Sequence, residues 1–82
     1  MGMLKMKVMD AAGAALAGKT VKVSGAGALQ TSSEGMAQFL IDSDASIEIE
    51  IDGAVAWSGN ASLLAREERF QLAGAKFARV SA

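Results

Sequence analysis

Large apolar residues alternate with polar ones along most of this chain, with a period of two. The clearest run is 47–52, where three isoleucines alternate with two glutamates and an aspartate. The same alternation fills residues 4–8 and returns in residues 19–24, where valines alternate with lysines. Since successive side chains of a strand point to opposite faces, each run predicts a strand with one buried face.

Turn-forming residues separate these strands. Residues 10–13 and 32–35 each combine a short polar side chain with a glycine. Asp or Ser can bond to its own backbone there, and glycine can adopt a positive φ. Between the two turns, residues 28–31 are expected to form a short strand, and Ala37, Phe39 and Ile41 are expected to share one face of the next.

Asp52-Gly53 is the strongest hairpin signal in the chain. A type I′ turn needs a positive φ at both central positions, and Asp-Gly tolerates this better than most pairs. We therefore expect a returning strand over residues 54–58, with Val55 and Trp57 on one face.

Residues 61–73 fit two structures. Good helix formers fill 63–68, and Asn60 or Ser62 could cap a helix there. Phe70 and the residues around it nevertheless alternate as a strand would. The prediction is a short helical turn near 62–67, a strand over 68–73 and a last strand over 76–81.

Together these elements predict an all-β fold, a small antiparallel β-sandwich of seven or eight strands forming one domain over residues 1–82. The apolar residues number 42, of which 17 are alanine. The remaining large side chains are about enough for one thin core.

Composition narrows the chemistry further. The chain has no His and no Cys, which excludes a Ser-His-Asp triad, a thiol nucleophile, a zinc finger and disulfides. A net charge of −1 leaves no basic surface of the kind that binds nucleic acid.

No signal sequence or membrane-length apolar run is recognisable, so the sequence predicts a cytoplasmic protein without a membrane partner. A domain cut from a longer or exported protein would look the same. We expect no enzymatic activity, no cofactor and no resident metal.

The charges are segregated along the chain. Residues 1–33 carry +3, residues 34–52 carry −6 and residues 53–82 carry +2. If the strands are neighbours, lysines of the first two strands would face acidic residues of the 47–52 strand across one sheet (Lys5, Lys7 and Lys22 against Glu48, Glu50 and Asp52). The alternative is an acidic patch for a cation or a basic partner.

A spaced set of turn glycines and inward apolar residues extends over residues 4–41. It reads Val8-x-Asp10-x-x-Gly13-x-x-Leu16-x-Gly18-x-x-Val21-x-Val23, then Thr31-x-x-x-Gly35-x-Ala37-x-Phe39. This pattern resembles carboxypeptidase regulatory-like domains, and its second part is similar to bacterial Ig-like domains of the invasin type. The resemblance implies a transthyretin-like or Ig-like sandwich. It also implies a non-catalytic module of the kind appended to secreted enzymes, surface proteins, or secretion and phage machinery.

Met3 and Met9 are the first candidate contact residues. They are expected on the face of the first strand opposite Leu4, Met6 and Val8. An apolar outer face on a terminal strand predicts that another chain covers it. The leading hypothesis is therefore a structural or protein-interaction module that associates with a partner or with itself through that strand.

The second hypothesis is a small carbohydrate- or calcium-binding domain. Trp57 could be a sugar platform, although we expect a core position. Asp42 and Asp44, with Glu34, could converge at one end of the sandwich and hold Ca²⁺ through their oxygens. The charged run 66–69 is expected to be a solvated, self-paired turn.

Overall fold

The computed structural model describes residues 2–42 and 44–80. Within them it is all-β, with eight strands and one short 3-10 helix. In chain order these are β1 (Gly2–Met9), β2 (Thr20–Val23), β3 (Gly27–Gln30), β4 (Met36–Ile41), β5 (Ser46–Ile51), β6 (Ala54–Asn60), the 3-10 helix (Ala61–Leu63), β7 (Glu67–Ala73) and β8 (Lys76–Val80). Of the predicted last strand, Ser81 lies outside the described residues.

The strands form two four-stranded sheets that pack face to face. One sheet has the order β4-β1-β7-β8 and the other β3-β2-β5-β6. The chain passes between the sheets after β1, β3, β4 and β6, so each sheet draws strands from both halves of the sequence. The predicted all-β sandwich of seven or eight strands is confirmed, with eight strands in the described residues.

One strand pair departs from the predicted antiparallel arrangement. β1 pairs antiparallel with β4 but parallel with β7. A tight hairpin forces antiparallel pairing, whereas β7 enters its sheet from β6 in the other sheet and is free of that constraint. The backbone N–H of Lys5 bonds the carbonyl oxygen of Arg66 at 2.9 Å, where the parallel pair begins.

The core lies between the inner faces of the two sheets. Its members are the apolar residues that the period of two selects, with Ala61 added from the 3-10 helix (Leu4, Met6, Val8, Val21, Val23, Ala37, Phe39, Ile47, Ile49, Ile51, Ala61, Phe70 and Phe77). All are buried, and Ile41 packs against them half-buried. The alternation in the sequence therefore identified the inward face of these strands correctly.

The predicted turns are also confirmed. A side-chain oxygen of Asp10, Oδ1, accepts the backbone N–H groups of Ala12 and Ala14, both at 2.9 Å. Asp52 has φ 53° and Gly53 has φ 82°, the two positive values that a type I′ hairpin requires. The helical turn predicted near 62–67 is shorter and lies earlier, as the 3-10 helix Ala61–Leu63, and Asn60 caps it by accepting the N–H of Ser62.

The prediction that Val55 and Trp57 share a face is wrong. The β5–β6 register pairs Glu50 with Val55 and Ile49 with Trp57, which leaves Ala56 as the extra residue of a β-bulge. A bulge shifts the side chains beyond it to the other face. Val55 therefore lies outside with Glu50, whereas Trp57 points inward with Ile49.

The predicted charge ladder is present only in part. Lys22 pairs with Glu50 across β2 and β5 as expected. Lys5 and Lys7 instead lie in the other sheet, because β1 pairs with β4 and β7 and not with the acidic strand β5.

Substitution of Gly35 tests how closely the 32–35 turn approaches the backbone of β1. It has φ +74°, and a Cβ there would lie 2.7 Å from the backbone oxygen of Val8. Gly25 has a similar φ of +79° but open space around it. Gly25→Ala should lower the free energy of unfolding by about 1 kcal/mol, the cost of the left-handed backbone alone. Gly35→Ala should cost about 1–3 kcal/mol more, because backbone must also move. Urea unfolding of both variants measures the difference, and equal costs would contradict the close approach.

Candidate functional site

The two methionines predicted to form an exposed face on β1 have different environments. β1 lies inside its sheet, and Met9 is only 8% exposed, in a strand paired with β7 and bridged to Ala15. Met3 is 46% exposed. The predicted apolar outer face is thus wrong for Met9 and correct for Met3, and β1 offers no free edge to another chain.

Met3 belongs to a larger apolar surface that the sequence pattern did not predict. Its cross-strand neighbour on β4 is Leu40, which is 60% exposed. Leu29 of β3 is 48% exposed, and all three side chains line one groove of about 470 Å³ beside β4. We call this surface, with the adjoining edges of the two strands, the β3–β4 side. It combines three exposed large apolar residues with two sheet edges.

The hydrogen-bonding pattern shows which β4 groups face outward. The N–H of Val8 donates to the oxygen of Gly35 at 2.8 Å, so the carbonyl group of Gly35, the residue before β4, points toward β1, whereas its N–H donates to Ser32 in the turn. Backbone direction alternates along a strand, so Ala37 and Phe39 bond β1 as well. The N–H and C=O groups of Gln38 and Leu40 then point away from the sheet, toward the side on which β4 has no strand neighbour in the described chain.

The other sheet edges in the described chain carry features that discourage pairing. β8 contains Lys76 and Arg79, and it lies close to β6 of the opposite sheet. β6 carries the bulge at Ala56, and β3 has only four residues. Charges, bulges and short length are the usual means of blocking an edge. β4 has six residues, all uncharged, and its pairing with β1 has no bulge, although it also contacts β3 of the opposite sheet.

The acidic residues near β4 do not form the predicted calcium site. Glu34 precedes β4, whereas Asp42 and Asp44 follow it, so the strand itself separates them. Among the described residues no group of three or more His, Cys, Asp or Glu is placed to hold a metal ion. Asp42 lines a cleft of about 430 Å³ with Ser24 and Ser46.

The exposure of Trp57 is intermediate between a buried core position and an open sugar platform, the two alternatives considered from the sequence. It is half-buried and packs against the core, and its ring lies over the backbone of Gly59, where a Cβ would come within 3.1 Å of it. Neither a fully buried core position nor an open aromatic platform describes this side chain.

An inward-facing ion pair was missed by the sequence reading. Glu68 is 4% exposed and accepts two bonds from the Arg79 guanidinium, at 2.8 Å to Oε1 and 2.9 Å to Oε2. Its Oε2 also accepts the N–H of Ala65 at 2.6 Å. The predicted solvated turn over residues 66–69 is therefore wrong at Glu68. Extending the alternation of Phe70 and Leu72 back by one step would have placed Glu68 on the inner face.

The surroundings of Glu68 favour its charged form. Burial is the largest influence and by itself would raise the pKa. The hydrogen bonds from Arg79 and Ala65, with the arginine charge, outweigh it and hold the pKa of Glu68 below its usual value. The same hydrogen bond raises the pKa of Arg79. The pair is a structural connection between β7, β8 and the segment that precedes β7.

Acid titration tests this ion pair. Because the pKa of Glu68 is lowered on folding, its stabilisation is present above the unfolded value of about 4.3 and is lost as pH falls through the folded value. At pH 7, Glu68→Gln should reduce the free energy of unfolding by about 1–3 kcal/mol. That difference should shrink as the pH falls below the unfolded value of about 4.3. Glu67→Gln, on the exposed face of the same strand, should cost less than about 0.5 kcal/mol at pH 7. A pH-independent cost of Glu68→Gln would contradict the assignment.

Two further carboxylates share a cleft of about 240 Å³, but both have structural partners. Asp10 and Asp52 line it together with Lys19. Asp10 holds the turn after β1, and Asp52 forms an ion pair with Lys19 at 3.1 Å.

Comparison of the chain with models of known families gives no match, and comparisons with curated proteins and with solved structures give none either. None of the helical structure in the described chain has the length and apolarity needed to cross a membrane.

Proposed function

We propose that this chain is a non-catalytic structural or protein-interaction module that contacts a partner protein or another copy through the β3–β4 side. The observation that carries the proposal is the coincidence of an uncharged, unpaired strand edge with three exposed large apolar side chains in one groove. Monomeric proteins rarely expose both, because such surfaces promote association.

The placement of the ionisable groups supports a non-catalytic role. The carboxylate best shielded from water is Glu68, which is held by Arg79. The two carboxylates that share a cleft, Asp10 and Asp52, hold a turn and an ion pair. An Ig-like or transthyretin-like fold family belongs to the proposal, and the spacing of turn glycines and apolar residues over 4–41 supports it.

Site-specific photo-crosslinking in the cells that make the protein tests this proposal. A photoreactive residue placed at Leu40 should give a discrete protein adduct, identified by mass spectrometry as a partner or as a second copy. Leu63 is the matched control, because it is an equally exposed leucine, at 66%, that is absent from the groove lining. Leu29→Lys should weaken the adduct at position 40. Equal adducts from both positions, or none from position 40, would argue against the β3–β4 side.

A further inference from the structure

The exposed edge of β4 has the length and the hydrogen-bonding groups of a docking site for one added strand. Gln38 and Leu40 together direct two N–H and two C=O groups outward, and the groove beside them is lined by Met3 and Leu29. An extended peptide that pairs with an edge gains affinity from such main-chain bonds, and its alternate side chains enter adjoining pockets.

The charges at the two ends of β4 constrain what can dock there. Glu34 lies before the strand, and Asp42 and Asp44 lie after it. An uncharged strand is thus flanked by acidic side chains at both ends. A partner strand of the full length must place its own ends beside these carboxylates.

A second copy fits this arrangement poorly. In the antiparallel β4–β4 pair centred on Phe39, which uses the outward groups of both strands, Gln38 of one copy faces Leu40 of the other. That register brings Glu34 of each copy beside Asp42 and Asp44 of the other copy, so acid meets acid at both ends. A parallel pair aligns each acidic residue with its own counterpart. Like charges placed opposite each other across strands are destabilising.

We propose, on the basis of the interaction function proposed above, that β4 receives an extended segment of a different protein, with alternating apolar residues in its middle and Lys or Arg at both ends. The central residues bond Gln38 and Leu40 and place apolar side chains against the groove. The basic ends lie beside Glu34 and beside Asp42 and Asp44. Glu34 and Asp42 are eight residues apart along the chain, at most about 26 Å if the chain is extended, which a nine-residue strand spans, and Asp44 lies two residues further on.

Three synthetic peptides test the proposal on the intact chain. The first is Lys-Lys-Val-Thr-Val-Thr-Val-Lys-Lys, and the second replaces every Lys by Glu. The third is the basic peptide with N-methyl groups on alternate central residues, in two versions that cover both faces. NMR titration of the ¹⁵N-labelled chain should show the largest shifts at the amides of Gln38 and Leu40 with the basic peptide. The acidic peptide should bind at least about tenfold more weakly, a gap that narrows in high salt. One N-methylated version should lose binding, because it cannot pair with the edge.

A charge-neutral variant supplies the matched control on the protein side. Glu34→Gln, Asp42→Asn and Asp44→Asn combined should remove the preference for the basic peptide, and the circular dichroism spectrum should stay unchanged. Equal binding of basic and acidic peptides, unaltered binding of both N-methylated versions, or shifts away from β4 would overturn the proposal. Concentration-dependent shifts at Gln38 and Leu40 without peptide would replace the basic strand by a second copy. A crosslink at Leu40 together with absent peptide binding would leave the interaction function intact and reject strand addition.

Discussion

Every backbone N–H and C=O group of a strand must be bonded or hydrated, and two open sheets leave four edges where this requirement is not met by the sheet itself. The described chain meets it differently at each edge. β6 and β8 lie near each other, one bulged and the other charged, and β3 is short. β4 alone in this part of the chain combines length, neutrality and an edge without a bulge, which is why the proposed contact lies there.

The core is a thin layer between the two sheets, and one of its inward positions holds a charged side chain. Two thin sheets bury their aliphatic and aromatic side chains inward, and alanine supplies little extra area. One inward position on β7 is occupied by Glu68, paired with Arg79. A buried ion pair contributes less net stability than apolar packing, but it links β7, β8 and the preceding segment in one arrangement. The parallel β1–β7 pairing places β1 inside its sheet, which leaves β4 at the edge.

Local patterns predicted the inward faces and the turns, because both features depend on residues that are neighbours in the sequence. The isoleucines of β5 and the Asp52-Gly53 hairpin are examples. The bulge at Ala56 could not be predicted, because no residue there signals the extra position, and it reversed the expected relation of Val55 to Trp57. The position of β1 in its sheet depends on a partner strand 62 residues further along the chain, so Met9 was expected to be exposed although it is buried. The groove joins Met3, Leu29 and Leu40 from three strands, and a linear pattern cannot bring them together.

Hydrogen exchange of the β4 amides in the isolated chain tests most directly that this edge is unpaired. The N–H groups of Ala37 and Phe39 point toward β1 and should exchange slowly, at rates governed by opening of the sheet. Those of Gln38 and Leu40 point outward and should exchange much faster, giving an alternating pattern along the strand. Uniform slow exchange across all four amides at low protein concentration would show that the edge is already bonded, which would contradict the account.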